Sequence, residues 1–185
     1  MNNIKRARIA LFDRPFYYLR HGETEANAAG TIAGSLDVHL TALGREQARL
    51  AARALASQPI TAIYASPLRR ARETAQPIAE ALGLPVTILD EIAERNWGEL
   101  EGMPRHSHVR GVKPIGGEST ETFMDRVLSG FAMVDAELPL LVAHSGVFRV
   151  LCRTLNIVES EGPVANCLPL KFVPVGAGWK VEDTC

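Results

Sequence analysis

Apolar residues fall into two kinds of run along this chain. Short unbroken runs alternate with longer stretches in which apolar positions recur every three or four residues. The first kind reads as buried strand and the second as amphipathic helix. Phe16, Tyr17, Tyr18 and Leu19 predict a strand. Residues 41–57 predict a helix with Leu43, Leu50, Ala51, Ala54 and Leu55 on its apolar face. A second strand is expected over 60–65. Ser66 and Pro67 then supply an N-cap and a first-turn proline for a helix reaching about Leu82, where Gly83 stops it. Residues 86–89 predict a short third strand. Phe123, Val127, Phe131 and Val134 recur at helical spacing and predict a helix over 119–137. Residues 140–143 predict a fourth strand, and Val147, Val150, Leu151 and Leu155 mark the helix after it. Residues 168–173 and 179–182 predict a terminal hairpin turned at Gly176, Ala177 and Gly178.

Alternating strands and helices predict an α/β fold, a three-layer α/β/α sandwich with a mainly parallel central sheet. The 185 residues contain no linker, repeat or low-complexity tract and read as one domain over 1–185. The one irregular stretch is 99–118, rich in glycine and proline, which predicts an excursion from the core and a candidate lid.

Composition narrows the function classes. A hydrophobic fraction of 46% and a charged fraction of 22% are ordinary for a globular protein. A net charge of -1 implies no general affinity for nucleic acid, so any attraction for an anion must come from local placement of basic groups. Sixteen of the 20 basic residues are arginine. Arginine binds phosphate bidentately, although genome composition is the plainer cause of the excess. Cys152, Cys167 and Cys185 are odd in number and widely spaced, without disulfide or metal-type spacing. They predict a reducing, cytoplasmic location. Lys5, Arg6 and Arg8 before the apolar Ile9 to Phe12 look faintly like a leader, but Asp13, Arg14 and Pro15 end the run at once. No stretch approaches membrane-spanning length, so no membrane role is expected.

Ligands of open α/β sheets bind beyond the carboxyl ends of the strands. His21, Ser66 and His144 each directly follow a predicted strand. Helices starting after Ser66 and Ser145 would aim free N–H groups at that same edge, where anions are favoured. Arg20 and Arg70 add fixed positive charge. The expected result is a cationic phosphate pocket built around two imidazoles. Neutral imidazole is a good nucleophile and leaving group at phosphorus, and a phosphohistidine splits one hard displacement into two easier ones. The arginines would stabilise charge on the equatorial oxygens and help to keep His21 neutral. A proton for the departing oxygen is still required. Glu94, after the third strand, is the candidate donor.

Several motifs follow one another in order. They are Arg20-His21-Gly22-Glu23-Thr24 with Asn27; Leu40-Thr41-Ala42-Leu43-Gly44 with Gln47 and Ala48; Ser66-Pro67-Leu68-Arg69-Arg70-Ala71 with Thr74 and Ala75; Glu94 with Gly98; Gly117-Glu118-Ser119; and Ala143-His144-Ser145-Gly146. In these blocks the chain resembles the histidine phosphatase superfamily, from about residue 16 to residue 182. The resemblance implies that His21 is the phosphorylated nucleophile, that Glu94 donates the proton, and that Arg20, Arg70 and His144 hold the phosphoryl group. It implies a phosphate-facing role for Asn27, which otherwise reads as a turn residue. It also implies that neither metal nor other cofactor is needed.

Plainer roles stand beside several of these. Glu94 reads alternatively as a surface partner of Arg95, and Glu23 as a partner of a nearby arginine. Gly22 and Gly146 read as backbone geometry. Ser145 departs from the family's usual glycine and reads as a helix cap, with contact to phosphate as the alternative. Trp97 reads as packing or as a pocket wall. Tyr17, Tyr18, Phe123 and Cys152 read as core, and Arg69 as surface. Arg105, His106, His108, Arg110 and Lys113 make a basic cluster in the excursion. It reads equally as a solvated face or as a reader of a second anionic group on the substrate.

The expected activity is hydrolysis of a phosphomonoester, because the resemblance links phosphoryl transfer to longer enclosing segments than this chain has. A mutase and a non-catalytic phosphate binder are the alternatives. The substrate class is a small metabolite (a sugar phosphate, phosphoglycerate or α-ribazole phosphate) or a phosphoprotein such as a phosphohistidine signalling protein. The sequence carries no signal for an oligomeric state.

Overall fold

The computed structural model describes residues 9–109, 111–158 and 163–184. Six strands form one sheet. They are β1 (Phe16–Arg20), β2 (Ala62–Ala65), β3 (Val86–Ile88), β4 (Pro139–Ala143), β5 (Leu170–Val175) and β6 (Gly178–Asp183). Their order is β3-β2-β4-β1-β5-β6. The first four are parallel to one another, and the terminal hairpin adds antiparallel to β1. Five helices accompany them: α1 (Glu25–Ala28), α2 (Ala42–Leu55), α3 (Arg69–Leu82), α4 (Thr120–Ala132) and α5 (Ser145–Leu155). The architecture is the expected three-layer α/β/α sandwich.

Strand β1 shows why. Successive side chains of a strand point to opposite faces. Phe16 and Tyr18 join Phe123, Val127 and Phe131 of α4 and Val147 and Leu151 of α5 in one core. Tyr17 and Leu19 join Ala48, Ala51 and Leu55 of α2 and Ala71, Ala75 and Ile78 of α3 in the other. All five β1 residues are buried, which requires both layers. The apolar run after Ile9 belongs here too: Leu11 is buried, and the Phe12 ring meets Phe131 edge-on at 5.8 Å.

Helix α2 is rotated from the face that periodicity predicts. Leu43 and Leu50 are exposed, and the inward face is Gly44, Ala48, Ala51, Ala52 and Leu55. Small side chains let α2 lie close against the alanines of α3, and a leucine face would hold the two apart. Helix α3 begins at Arg69, with Leu68 as its N-cap residue, so Ser66 is not the cap. Its hydroxyl accepts Leu68 N–H at 3.2 Å in the turn before the helix. Helix α4 ends at Ala132, short of 137. A last tight turn, Val134 N–H to Phe131 O at 3.3 Å, carries Val134 into the core at a spacing that mimics continued helix. The hairpin turns on Gly176 and Ala177 alone, with Gly176 at φ 58°, and Gly178 already belongs to β6. Among the described residues no helix is long and apolar enough to cross a membrane.

Register fixes the site. Arg20 of β1 lies beside Ala143 of β4, and Ala65 of β2 beside Val142. The next residue of each strand extends the ladder by one bond: His21 N–H to Ala143 O at 3.0 Å and Ser66 N–H to Val142 O at 3.1 Å. His21, Ser66 and His144 therefore leave the sheet side by side.

The turn after β1 is seated directly on α2. A Cβ on Gly22 would overlap the Gly44 backbone, and one on Gly44 would overlap the Glu23 backbone. Gly44→Ala is expected to lower unfolding free energy in denaturant titrations by about 1–3 kcal/mol. Leu43→Ala, one residue away and exposed, should change it by less than about 0.5 kcal/mol.

Candidate active site

The rings of His21 and His144 sit 5.2 Å apart, inclined at 57°. Both residues are buried. His21 Nδ1 lies 2.7 Å from the Gly22 carbonyl oxygen. A carbonyl only accepts, so the ring donates from Nδ1 and Nε2 keeps the lone pair. That is the form a nucleophilic imidazole needs. His144 Nε2 lies 2.7 Å from the Ser66 hydroxyl, which already accepts from Leu68. A hydroxyl carries one proton and two lone pairs, so Ser66 can donate to Nε2 or accept from it, according to the His144 tautomer.

Two buried guanidiniums flank the imidazoles. Arg20 donates from Nη1 to Val164 O at 2.6 Å. Arg70 donates to Leu36 O at 2.8 Å and Gly34 O at 2.7 Å. Their acceptors are carbonyls, and among the described residues neither guanidinium makes an ion pair. Arg20 Nε, Arg70 Nε and His144 Nδ1 are buried without a hydrogen-bond partner among the described residues. Buried polar atoms are normally satisfied. Three unsatisfied groups, two of them cationic, suit the oxygens of a bound anion.

Burial first, and then the fields of Arg70 and Arg20, hold the His21 pKa well below its ordinary value. Burial again leads for His144, followed by Arg70, His21 and Arg20. Both imidazoles are neutral near pH 7.

Glu94 enters from a turn between the short 3-10 segments Asp90–Ile92 and Gly98–Leu100. Its Oε1 accepts Arg95 N–H at 2.9 Å, and its Oε2 accepts Gly146 N–H at 3.0 Å in the first turn of α5. The Arg95 side chain goes elsewhere, to Glu118 O at 2.7 Å and over the Trp97 ring at 4.4 Å, so Glu94 is not its surface partner. A Cβ on Gly146 would overlap the Glu94 carboxylate, so glycine lets that carboxyl lie this close to α5.

A cavity of about 310 Å³ joins these groups: Arg20, His21, Asn27, Arg70, Glu94 and Ser145 all line it. Every sequence-predicted site residue but His144 is in that lining, and His144 lies against His21 behind it. Asn27 also caps α1, its Oδ1 accepting Thr24 N–H at 3.2 Å. Ser145 is the first residue of α5 and His144 its N-cap residue, so the expected capping role for Ser145 does not hold. Glu23 accepts from the Thr41 hydroxyl at 2.8 Å and is not tied to an arginine through any bond recorded. Among the described residues no group of three or more His, Cys, Asp or Glu is placed to hold a metal ion.

The excursion lies along the loop at 30–36. Ile32 N–H meets Met103 O at 2.9 Å, Gly102 N–H meets Ile32 O at 2.8 Å, and Arg105 N–H meets Gly30 O at 3.0 Å. Arg105 and His108 thereby reach the cavity mouth, together with Trp97 and Arg149. His108 meets Trp97 edge-on at 4.5 Å. His106 and Lys113 are not among the lining residues, and Arg110 lies outside the described residues. The basic cluster is thus divided.

Some supporting residues carry no such signal in the sequence. Asn166 donates to His21 O at 2.7 Å, and the Thr74 hydroxyl accepts Gly22 N–H at 3.0 Å. Thr74 follows Arg70 by four residues, a legible same-face spacing. Asn166 sits in a loop without pattern. Arg149 could have been found four residues after Ser145 on α5.

The sequence from residue 16 to residue 168 matches the histidine phosphatase superfamily (branch 1). The chain is 35% identical over 178 residues to the uncharacterized phosphatase PhoE of Bacillus subtilis, across 89% of this chain and 91% of that one. It is 49% identical over 157 residues to the probable phosphoglycerate mutase GpmB of Serratia proteamaculans, across 75% of this chain and 73% of its relative. A solved mycobacterial glucosyl-3-phosphoglycerate phosphatase, in complex with VO3, shares the fold at a TM-score of 0.77 with 26% identity, across 91% of this chain and 97% of that one.

Burial of two neutral imidazoles leaves a pH signature. Above pH 6.5 neither the folded nor the unfolded state protonates them. Below it the unfolded chain binds protons that the folded chain refuses, so stability falls as pH falls until the folded pKa is reached. Unfolding free energy should decline below pH 6.5 with a slope of up to about 1.4 kcal/mol per pH unit for each histidine. In NMR titrations the His21 and His144 ring signals should keep neutral shifts through that pH. Titration of either near 6.5 would contradict the assignment.

Proposed function

The chain belongs to the histidine phosphatase superfamily, and from that premise we propose that it hydrolyses phosphomonoesters through a phosphohistidine on His21, without a metal. The observation that carries this reading is the bond from His21 Nδ1 to Gly22 O, which leaves Nε2 unprotonated inside a pocket of two guanidiniums. In the first step His21 Nε2 attacks phosphorus and the P–O bond to the leaving group breaks. The Glu94 proton goes to the departing oxygen. In the second step water attacks the phosphohistidine, Glu94 takes back a proton, and the P–N bond breaks to release phosphate. Arg20, Arg70 and His144 hold the equatorial oxygens throughout, worth on the order of 10²–10³-fold in rate for each such donor.

Hydrolysis is favoured over transfer because water reaches the site. Glu94 is only half-buried, and Arg105 and Arg149 at the mouth are exposed. A cavity of about 310 Å³ suits a small metabolite in preference to a protein-borne phosphoryl group. Arg105, His108 and Arg149 then face whatever the phosphate carries, so a substrate with a second anionic or polar group is preferred. The similar mycobacterial phosphatase is named for such a compound, a phosphoglycerate with a sugar attached.

p-Nitrophenyl phosphate should be hydrolysed in the presence of EDTA, and His21→Ala should lower that rate by about 10⁴-fold or more. Quenched wild-type enzyme should carry an acid-labile, alkali-stable phosphoryl label that His21→Ala lacks. Equal rates in the two proteins would refute the nucleophile. Phosphoglycerate isomerised without net phosphate release would replace the hydrolase by a mutase, and phosphate binding without turnover would leave a binding protein.

A further inference from the structure

Glu94 stands on a segment with no ladder to hold it. Between the 3-10 turns at Asp90–Ile92 and Gly98–Leu100 the chain belongs to neither helix nor strand. Side chains hold much of its backbone instead, and one from α4 takes three carbonyls in and beside it. Arg126 donates from Nη1 to Glu91 O at 2.8 Å and to Ala93 O at 3.1 Å. From Nη2 it donates to Glu94 O at 3.3 Å and to Glu118 Oε2 at 2.7 Å, and from Nε to Glu118 Oε1 at 2.8 Å. All five N–H groups of the guanidinium are engaged, the full capacity of the residue.

Glu118 closes the other side. Its Oε2 also accepts Asn96 N–H at 2.9 Å, and its carbonyl accepts from Arg95 Nε and Nη2. Backbone groups on both sides of Glu94 are therefore bound by one bidentate ion pair. A second feature of α4 serves the same turn. Gly130 lies one helical turn from Arg126, and a Cβ there would come within 2.7 Å of Glu91 Cβ and 3.1 Å of Ile92 Cγ2. This face of α4 is bare and cationic where it meets residues 91–94. The neighbouring face, Phe123, Val127 and Phe131, fills the core.

We propose that the Arg126–Glu118 pair is the positioning device of the proton donor, setting the height of the turn so that the Glu94 carboxyl meets Gly146 N–H and faces the pocket. The inference rests on Glu94 as the donor. Neither Arg126 nor Glu118 lines the cavity, so neither is a catalytic residue. Their effect passes through Glu94. A misplacement of about 1 Å at a reacting group costs on the order of 10²-fold in rate.

Leaving-group dependence tests this, because a poor leaving group needs the proton and p-nitrophenolate does not. Full-length wild type, Glu94→Gln, Arg126→Met, Arg126→Lys and Glu118→Gln are assayed on glycerol phosphate and p-nitrophenyl phosphate. Glu94→Gln sets the reference in kcat/KM, which reports phosphorylation of His21 and not the later hydrolysis in which Glu94 acts as base: a loss of about 10²-fold or more on glycerol phosphate and no more than about fivefold on p-nitrophenyl phosphate. Arg126→Met and Glu118→Gln should show the same split in kcat/KM, of about 10–10²-fold, with inhibition by inorganic phosphate unchanged within about twofold. Arg126→Lys, which keeps the charge and fewer of the bonds, should recover part of the loss. If Arg126→Met does not fold, Glu118→Gln and Arg126→Lys carry the comparison. Should Glu94→Gln discriminate between the substrates while the folded clamp variants lose both equally, or neither, the pair is merely structural. Should Glu94→Gln itself not discriminate, the donor assignment fails and the positioning role with it.

Discussion

Two buried guanidiniums are held by backbone carbonyls in place of carboxylates. Arg20 and Arg70 are as deeply enclosed as core residues, yet their recorded partners are Val164 O, Gly34 O and Leu36 O. A carbonyl satisfies the hydrogen bond and leaves the charge standing. A carboxylate would satisfy both and cancel the field that a phosphate requires. The guanidinium field adds to burial, the larger cause, in holding both imidazoles neutral, and the same field suits an anion. Carbonyl partners also make the pocket an expensive arrangement, since each buried charge has lost hydration and, among the described residues, gains only the more distant fields of carboxylates such as Glu94 in return. The sheet offsets that cost: β1 and β4 are buried along their whole length, and the register of their ends leaves the histidines little freedom to move.

The same carbonyl bonds fasten the surroundings to the pocket. Arg70 grips the 34–36 loop by its carbonyls from inside. Glu101 of the excursion grips it from outside, accepting Ser35 N–H at 2.7 Å and the Ser35 hydroxyl at 2.8 Å. Glu101 also accepts Trp97 N–H at 3.0 Å, which ties the pocket wall to the same point. Arg95 lies over the Trp97 ring, and His108 meets that ring edge-on toward the mouth. Arg70, loop, excursion and wall are thus one connected assembly, in which Arg70 carries both the pocket's charge and its scaffold.

How much of this is readable in the sequence depends on the kind of interaction. Strands β1 and β4 are legible because both faces are buried and the apolar runs are unbroken. His21 and His144 are legible because each ends such a run. The face of α2 is not, because Leu43 and Leu50 carry the stronger hydrophobic signal while close packing against α3 selects Gly44, Ala48 and Ala52. Val134 extends the apparent period of α4 past its true end for a similar reason: burial is shared by a helix and by the tight turn that follows it. Ser66 looks like a helix cap and serves His144 instead, a role set by a strand end 78 residues away. Arg126 looks like an ordinary polar position on an amphipathic helix. Its five partners come together only through the turn at 91–96 and the loop before α4.

Phosphate contacts alone confer little discrimination. Arg20, Arg70 and His144 would grip every phosphomonoester, and inorganic phosphate as well, by the same oxygens. Binding that is equal for substrate, competitor and product raises no selectivity. Selection among metabolites must then come from groups that touch the rest of the molecule, and in this fold those stand on the mouth: Ile32, Trp97, Arg105, His108 and Arg149. Three of the five belong to the turn and excursion between Glu94 and α4, the stretch with the fewest ladder bonds. Chemistry on a rigid sheet edge and recognition on a loosely scaffolded excursion can change independently. Similar chains carry both phosphatase and phosphoglycerate mutase names, as a division between a common sheet edge and a separate excursion would allow.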